Sequence, residues 1–426
     1  MSMKIAVIGT GIAGNVAARN LCKEHDITVY EAGEHVGGHT HTHDILHEGR
    51  HHAVDTGFIV FNDRTYPNFI ALLDELGVAS QPTNMGFSSR CEMTGIEYSG
   101  SSLNQLFSQR RNLFRPRFHG MIRDILRFNR KSRELIAYKN ETLSLGRYLE
   151  ENNYGRLFID NYIIPMGAAI WSTDPQQMLA FPACYFVRFF ANHGLLNVRD
   201  RPQWRVIKGG SREYVKRLTA PFRDRIRLNQ AVVAVERKPT HVEVQTSDGV
   251  TEHYDQLFIA THSDQALRML ADPSEQEQTI LGAIPYQKND VVLHTDTSLL
   301  PNKRRTWSAW NYLRRQDDNR RVSVTYNMNM LQGLQAAETF CVTLNDTQNI
   351  DPDRIIRRIQ YDHPVYTTEG IAAQQRHREI NGQRRTWYCG AYWRFGFHED
   401  GVVSALNALQ DFKEYDDAQS SLRRAG

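Results

Sequence analysis

Gly9, Gly11 and Gly14 form a G-x-G-x-x-G run, and Glu31 stands about twenty positions after the first of them. This spacing suits one task, the holding of a dinucleotide. Gly9 permits a tight turn. Gly11 lets the backbone approach a pyrophosphate, and Gly14 lets a helix lie close on the preceding strand. The start of that helix, with Ala13 in its first turn, presents free N–H groups and the positive end of its dipole to phosphate. Glu31 is placed to accept hydrogen bonds from a ribose hydroxyl pair, and its charge would repel the 2′-phosphate of NADP. An ordinary glycine-rich turn is the alternative. It accounts for neither the acid nor the flanking pattern.

A second set of candidates follows. Gly37-Gly38 is a further place where backbone can meet ligand, and His39 comes next. Seven of the seventeen histidines lie between His35 and His52. His39, His41 and His43 alternate, so on a strand they share a face, with Asp55 opposite. Such a set could ligate a metal. It equally suits partly exposed polar positions, and no metal is assigned. Covalent attachment of a cofactor at one of these histidines is a further alternative. The five cysteines are scattered with no CxxC pair, as in a reduced, cytoplasmic protein without a structural zinc site. No clear acid–base dyad exists. His398, Glu399 and Tyr392 are the candidates for proton handling. His294 reads as structural, with a place facing a pocket as the alternative.

These residues need elements to position them. Lys4 to Ile8 is an apolar run of the kind found in a strand buried on both faces, Val16, Ala17 and Leu21 recur at helical spacing, and Ile27 to Tyr30 is a second strand. Thr42 to Leu46 and Arg50 to Val54 pattern as two strands turning at Glu48-Gly49. An amphipathic helix spans Tyr66 to Leu76, and short strands fill 80–99. Gln109 to Leu135 is the most charged stretch, with nine Lys and Arg against Asp124 and Glu134. Its apolar residues recur at helical spacing. It reads as a helix with a solvated basic face, or as one that docks on an anionic membrane. Residues 143–200 read as helical and aromatic. Strands follow at Trp204 to Ile207, Ala231 to Val235, Val242 to Thr246, Thr251 to Tyr254 and Leu257 to Ala260, then alternate over 286–328, the last being Val322 to Met328. A final strand, Thr386 to Gly390, precedes a helix through Val402, Val403, Ala405 and Leu409.

Length and composition set the frame. The chain has 426 residues, 41% hydrophobic and 23% charged, with a mean hydropathy of −0.52. It suggests two or three lobes. No apolar run reaches the roughly eighteen residues that would span a membrane. A net charge of +3 implies no general affinity for nucleic acid.

Taken together, the glycine run, Glu31, Gly37-Gly38 and the pair Asp55-x-Gly57 resemble the flavoprotein group of amine oxidases, phytoene desaturases and protoporphyrinogen oxidases. The resemblance implies FAD, held extended with its adenine end at the first glycine loop. It implies contacts from Gly38, Asp55, Gly57, Phe58 and Ile59. His39 stands where the group usually has a phosphate-binding arginine. Backbone around Val233 is expected beside the adenine. Gly390, Asp400, Gly401 and Val403 are expected near the flavin end, where the dipole of the last helix would stabilise reduced flavin. The runs Gly396 to Gly401 and Leu293 to Asp296 further resemble a bacterial subgroup of NAD/FAD-binding proteins associated with fatty-acid methyltransferases. This implies an unsaturated or methyl-branched acyl substrate, free or in a phospholipid.

The reading is an FAD-dependent oxidoreductase with an α/β fold, a doubly wound nucleotide-binding domain carrying an inserted α+β substrate domain. The first comprises 1–80, 204–285 and 380–426, the second 81–203 and 286–379. Hydride would pass from a lipid-like substrate to the flavin. The place expected is the cytoplasm, including the inner face of the membrane, with peripheral contact through 109–135. Two alternatives stay open. A flavin amine oxidase would have a lysine near the flavin, and none can be assigned. A non-catalytic, FAD-stabilised membrane-surface protein would use only the basic stretch.

Overall fold

The computed structural model describes residues 2–138, 142–171, 175–316 and 323–425. Residues 172–174 of the aromatic helical stretch, and Val322 of the expected strand, lie outside them. Five strands make a parallel sheet in the order Ile226–Arg227, Asp26–Tyr30, Lys4–Ile8, Gln256–Ile259, Thr386–Tyr388. Its central strands are apolar on both faces because both faces are covered. Helices Ile12–Leu21 and His398–Ala425 cover one face, together with Pro67–Glu75 and Arg212–Thr219. The other face carries a three-stranded antiparallel meander, Val232–Arg237, Val242–Thr246 and Thr251–Tyr254, with helices Ser263–Met269 and Glu275–Gly282. The doubly wound expectation is thereby refined: a small sheet covers much of one face where helices would otherwise lie.

Between Gln256–Ile259 and Thr386–Tyr388 the chain leaves the parallel sheet. It builds most of a seven-stranded sheet in the order Ile355–Pro364, Tyr286–His294, Cys341–Leu344, Ser323–Asn327, Trp310–Arg314, Phe87–Cys91, Ile96–Ser99. Every neighbouring pair is antiparallel except Trp310–Arg314 with Phe87–Cys91. His294 is fully buried here. It bonds Thr343 Oγ1 at 2.7 Å and accepts from the Asp296 backbone, so it is part of the sheet's interior.

A second core is mostly aromatic: Phe128, Phe158, Trp171, Phe186 and Phe190 interlock at ring spacings that favour edge and offset contacts, and Phe118 meets Tyr98 and Phe107 edge-on. The basic stretch contributes to it. It divides into a 3₁₀ turn, Arg110–Phe114, and a helix, Pro116–Lys131, because Pro116 starts a helix well and continues one badly. Phe118, Met121 and Phe128 point the helix's apolar face inward. Its basic face is exposed, as both readings require. No helix among the described residues is long and apolar enough to cross a membrane.

Candidate functional site

The glycine loop is built as its spacing requires. Gly9 has φ +101°, its N–H reaches Tyr30 O at 2.8 Å, and a Cβ on it would sit 2.8 Å from Ala260 O. A Cβ on Gly14 would lie 1.9 Å from Gly9 O, so only glycine lets the helix close on the turn. Gly11 differs. It caps helix Ile12–Leu21 without any side-chain bond, and a Cβ on it would meet nothing within 4 Å. Among the described residues, the N–H groups of Ile12 and Ala13 have no protein acceptor. Glu31 is tied to the same loop. Its carboxylate accepts from the Thr10 backbone N–H at 3.0 Å, the Thr10 hydroxyl and the Gly33 N–H at 2.9 Å. A Cβ on Gly38 would lie 3.1 Å from Gly11 Cα, so the double glycine rests directly against the first loop. Val233 is half exposed at a β-bulge between Val232 and Ala234. The bulge leaves its backbone outside the ladder. The Gln230 N–H, which donates to Glu31 O at 2.9 Å, sets this segment beside the acid.

His39 opens onto a cluster that spacing could not reveal. Its ring stacks on Tyr361 at 4.9 Å, with His363 at 5.4 Å and His262 at 5.9 Å. Burial holds the imidazole well below its ordinary pKa, and it is therefore neutral. Its Nε2 is buried without a partner. His41 does not join His39 on a metal; it stacks on His35 at 4.0 Å and bonds the Tyr361 hydroxyl at 3.2 Å. His43 bonds Thr56 Oγ1. Among the described residues, one group alone has ligand atoms within reach of a single ion: His241, Glu243 and His253, on the outlying meander.

The segment 55–59 is packed from within. Asp55 is fully buried, and burial pushes its pKa up to about 6. Its oxygens accept from Thr42 Oγ1, from Ser211 N at 3.0 Å and Oγ at 2.7 Å, and from Gln332 Nε2 at 2.9 Å. The carboxylate is occupied by donors of this chain and joins its hairpin partner to Ser211 and Gln332. A Cβ on Gly57 would lie 2.1 Å from His39 O, so the glycine allows close passage beside that histidine. Phe58 stacks on His398 with centroids 3.5 Å apart, and Ile59 packs with Val54 and Val206.

At the far end, strand Thr386–Tyr388 leads into a turn, residues 390–397. Gly390 N–H donates to Ser404 Oγ at 2.9 Å, and Gln374 Nε2 donates to the carbonyls of Tyr392 and Arg394, each at 2.7 Å. Tyr185 donates its hydroxyl to Arg394 O at 2.7 Å. The turn is thus pinned from the aromatic lobe. Helix His398–Ala425 begins here. Gly401 passes so near Ile12 that a Cβ would sit 2.6 Å from Ile12 Cγ2, which brings the starts of the first and last helices together. Val403 is half-buried on that helix.

The three proton-handling candidates are placed differently from expectation. Glu399 accepts from Asn68 N at 3.1 Å, Asn68 Nδ2 at 2.6 Å and Phe69 N at 2.9 Å. It caps helix Pro67–Glu75 through both oxygens. His398 is buried with its pKa lowered to about 3, and its Nε2 bonds Thr40 Oγ1 at 3.0 Å and Tyr214 OH at 2.9 Å. The Tyr392 hydroxyl is buried without a partner, and burial pushes its pKa well up. Neither His398 nor Tyr392 accepts a proton readily at neutral pH. Asp400 does titrate in range: burial raises it to about 6. It accepts from Phe397 N at 2.9 Å, with Arg394 Nε 3.6 Å from its other oxygen.

FAD fits the loop. The open face at Gly11, the uncapped helix start, Glu31 at the strand end and the unpartnered His39 Nε2 all suit an extended dinucleotide. The comparisons agree. The model of the family described as flavin containing amine oxidoreductase matches residues 12–411. AofH of Mycobacterium tuberculosis, which carries the name of a flavin-containing monoamine oxidase, is 27% identical over 268 residues, 59% of this chain. That match spans 55% of AofH's length. Cyclohexylamine oxidase from Brevibacterium oxydans superposes with a TM-score of 0.69 at 15% identity, covering 97% of this chain and 100% of that one. A fatty acid isomerase from P. acnes that produces CLA gives 0.67 at 16%, covering 96% and 98%.

Proposed function

We infer the activity from one premise: the chain belongs to the flavin-containing amine oxidoreductase family, whose members are FAD-dependent oxidoreductases, and FAD is its cofactor. We propose that its substrate is an acyl chain, unsaturated or methyl-branched, from which it removes hydrogen. Bound FAD supplies the two-electron acceptor that such a dehydrogenation needs. This chain's residues supply position and dryness. Gly11 and the helix start hold phosphate, Glu31 the ribose, and the neutral histidines line the approach without adding charge. Asp400 is the group suited to hold or release a proton near neutrality.

One observation carries the substrate class. The turn before the last helix meets the substrate lobe through aromatic rings, and cations border them. Phe395 lies 4.6 Å from Tyr185, Tyr366 stacks on Tyr185 at 5.5 Å, and Phe397 lies 5.0 Å from Phe189. Arg188 and Arg394 stand near the Tyr185 hydroxyl, as does the Asp400 carboxylate, which lies 3.6 Å from Arg394 Nε. Among the described residues, Arg188 makes no ion pair; its guanidinium reaches only the thiol of Cys184, at 3.3 Å. A protonated amine gains nothing from a guanidinium beside apolar rings. An acyl chain ending in a carboxylate is attracted by it. Two relatives favour the other reading by name, AofH and cyclohexylamine oxidase. Turnover with an artificial electron acceptor separates the two. Oleate and a methyl-branched fatty acid should be oxidised, while cyclohexylamine and putrescine are not. Oxidation of the amines alone would overturn the acyl reading and leave the cofactor standing.

A further inference from the structure

One corner of the substrate lobe carries apolar and basic side chains that the site does not use. Phe114 is 87% exposed and Leu103 76%, and Leu113 beside Phe114 is exposed as well. Large side chains seldom stand this free in water without a partner. Around them stand Arg110, Arg111, Lys303, Arg304 and Arg305, all exposed and, among the described residues, without an ion pair. Ser108, Arg110 and residues 303–305 line an open cleft of about 580 Å³. Neither of the two stretches, 100–123 and 297–316, contains a single Asp or Glu.

The corner is held in shape. Gln105 Nε2 donates to Arg305 O at 3.1 Å, which joins the two stretches, and Arg111 is anchored on Gly95 O at 2.8 Å. Buried Glu97 accepts the backbone N–H groups of Asn302 at 3.1 Å and Lys303 at 2.8 Å. The His119 ring bonds Leu113 O at 2.8 Å and steadies the turn that carries Phe114. The apolar tips are therefore presented on a fixed surface.

We propose that this corner, residues 103–117 with 303–305, docks the protein on an anionic lipid bilayer. Phe114, Leu113 and Leu103 enter the interface, and the cations meet the headgroups. Charge complementarity selects the occupant. A symmetric contact with a second copy would set each cation against its own kind. A nucleic acid would satisfy the arginines and leave three large apolar tips in water. A bilayer surface takes both sets at once. The contact lies in the 3₁₀ turn and its neighbour, since helix Pro116–Lys131 spends its apolar face on the core. Arg127 in particular is committed, pairing with Asp124 at 3.1 Å and stacking on Tyr154 at 4.1 Å.

Flotation of the FAD-loaded protein with vesicles tests this, and it reads binding without turnover. It therefore stands or fails separately from the acyl-substrate reading. The protein should float with vesicles of phosphatidylcholine and phosphatidylglycerol, should not float with phosphatidylcholine alone, and should be released by high salt. Phe114→Ser and the double variant Arg304→Glu, Arg305→Glu should each weaken binding at least about tenfold. Both should keep their flavin content, since these side chains are exposed. No flotation with the anionic vesicles overturns the proposal, as does flotation that neither variant weakens. Salt-sensitive binding to duplex DNA that is lost in the charge variant but kept in Phe114→Ser would assign the corner to nucleic acid instead.

Discussion

At the scale of residues, the three glycines of the loop are not equivalent, and this separates binding from folding. Gly14 is demanded by the protein itself, because its missing Cβ would overlap Gly9 O. Gly11 is demanded only by what lies in front of it. Gly11→Ala should therefore leave unfolding free energy unchanged while FAD affinity falls at least about tenfold, roughly 1.4 kcal/mol. Gly14→Ala should lose both. Urea unfolding and fluorescence titration of FAD read the two effects apart, and equal loss of stability in both variants would contradict the assignment of Gly11. These roles were legible from spacing because loop, helix start and acid lie within about thirty residues. The roles of Asp55 and Glu399 were not, because their donors come from up to 331 positions away.

At the scale of elements, the last helix organises the site through what its first turn holds. Glu399 reaches across to cap helix Pro67–Glu75, Asp400 caps its own turn, and Gly401 admits the first helix. Glu399→Ala removes the acceptor from two backbone N–H groups and an amide. It should cost about 2 kcal/mol in urea unfolding. Glu399→Gln, which keeps one acceptor oxygen, should cost less and retain turnover. A glutamine variant of full stability but without turnover would instead restore Glu399 as a proton carrier. The basic stretch shows how far an element can be read from sequence. Its helical period was legible, and so was its exposed basic face. The break was legible at Pro116, but the joining of this stretch to residues 303–305 through Gln105 and Arg305, 200 positions apart, was not.

At the scale of the whole molecule, burial of histidine sets the pH range of the fold. His193, His294, His363 and His398 have pKa values lowered to about 4, 4, 4 and 3, and His39 is held well below 6.5. A group depressed in this way stabilises the fold above its unfolded pKa near 6.5 and loses that contribution as pH falls toward the folded value. Asp55 and Asp400, raised to about 6, act in the opposite sense and gain as pH falls through 6. The depressed histidines outnumber the two raised carboxylates, so the fold loses stability as pH falls below 6. Denaturant midpoints should fall steeply from pH 6 to 5, and a flat profile there would contradict the neutral, buried histidines. The parallel sheet was legible because its strands are continuous apolar runs. The histidine cluster was not, since His39, His262 and His363 come from three separate elements.

The central claim is a flavin site that accepts electrons from an acyl chain. The most direct measurement is the visible spectrum of the FAD-loaded protein, titrated without oxygen. Addition of oleate or of a methyl-branched fatty acid should bleach the flavin, and addition of cyclohexylamine should leave it yellow. Bleaching by the amine with no response to either acid would contradict the account.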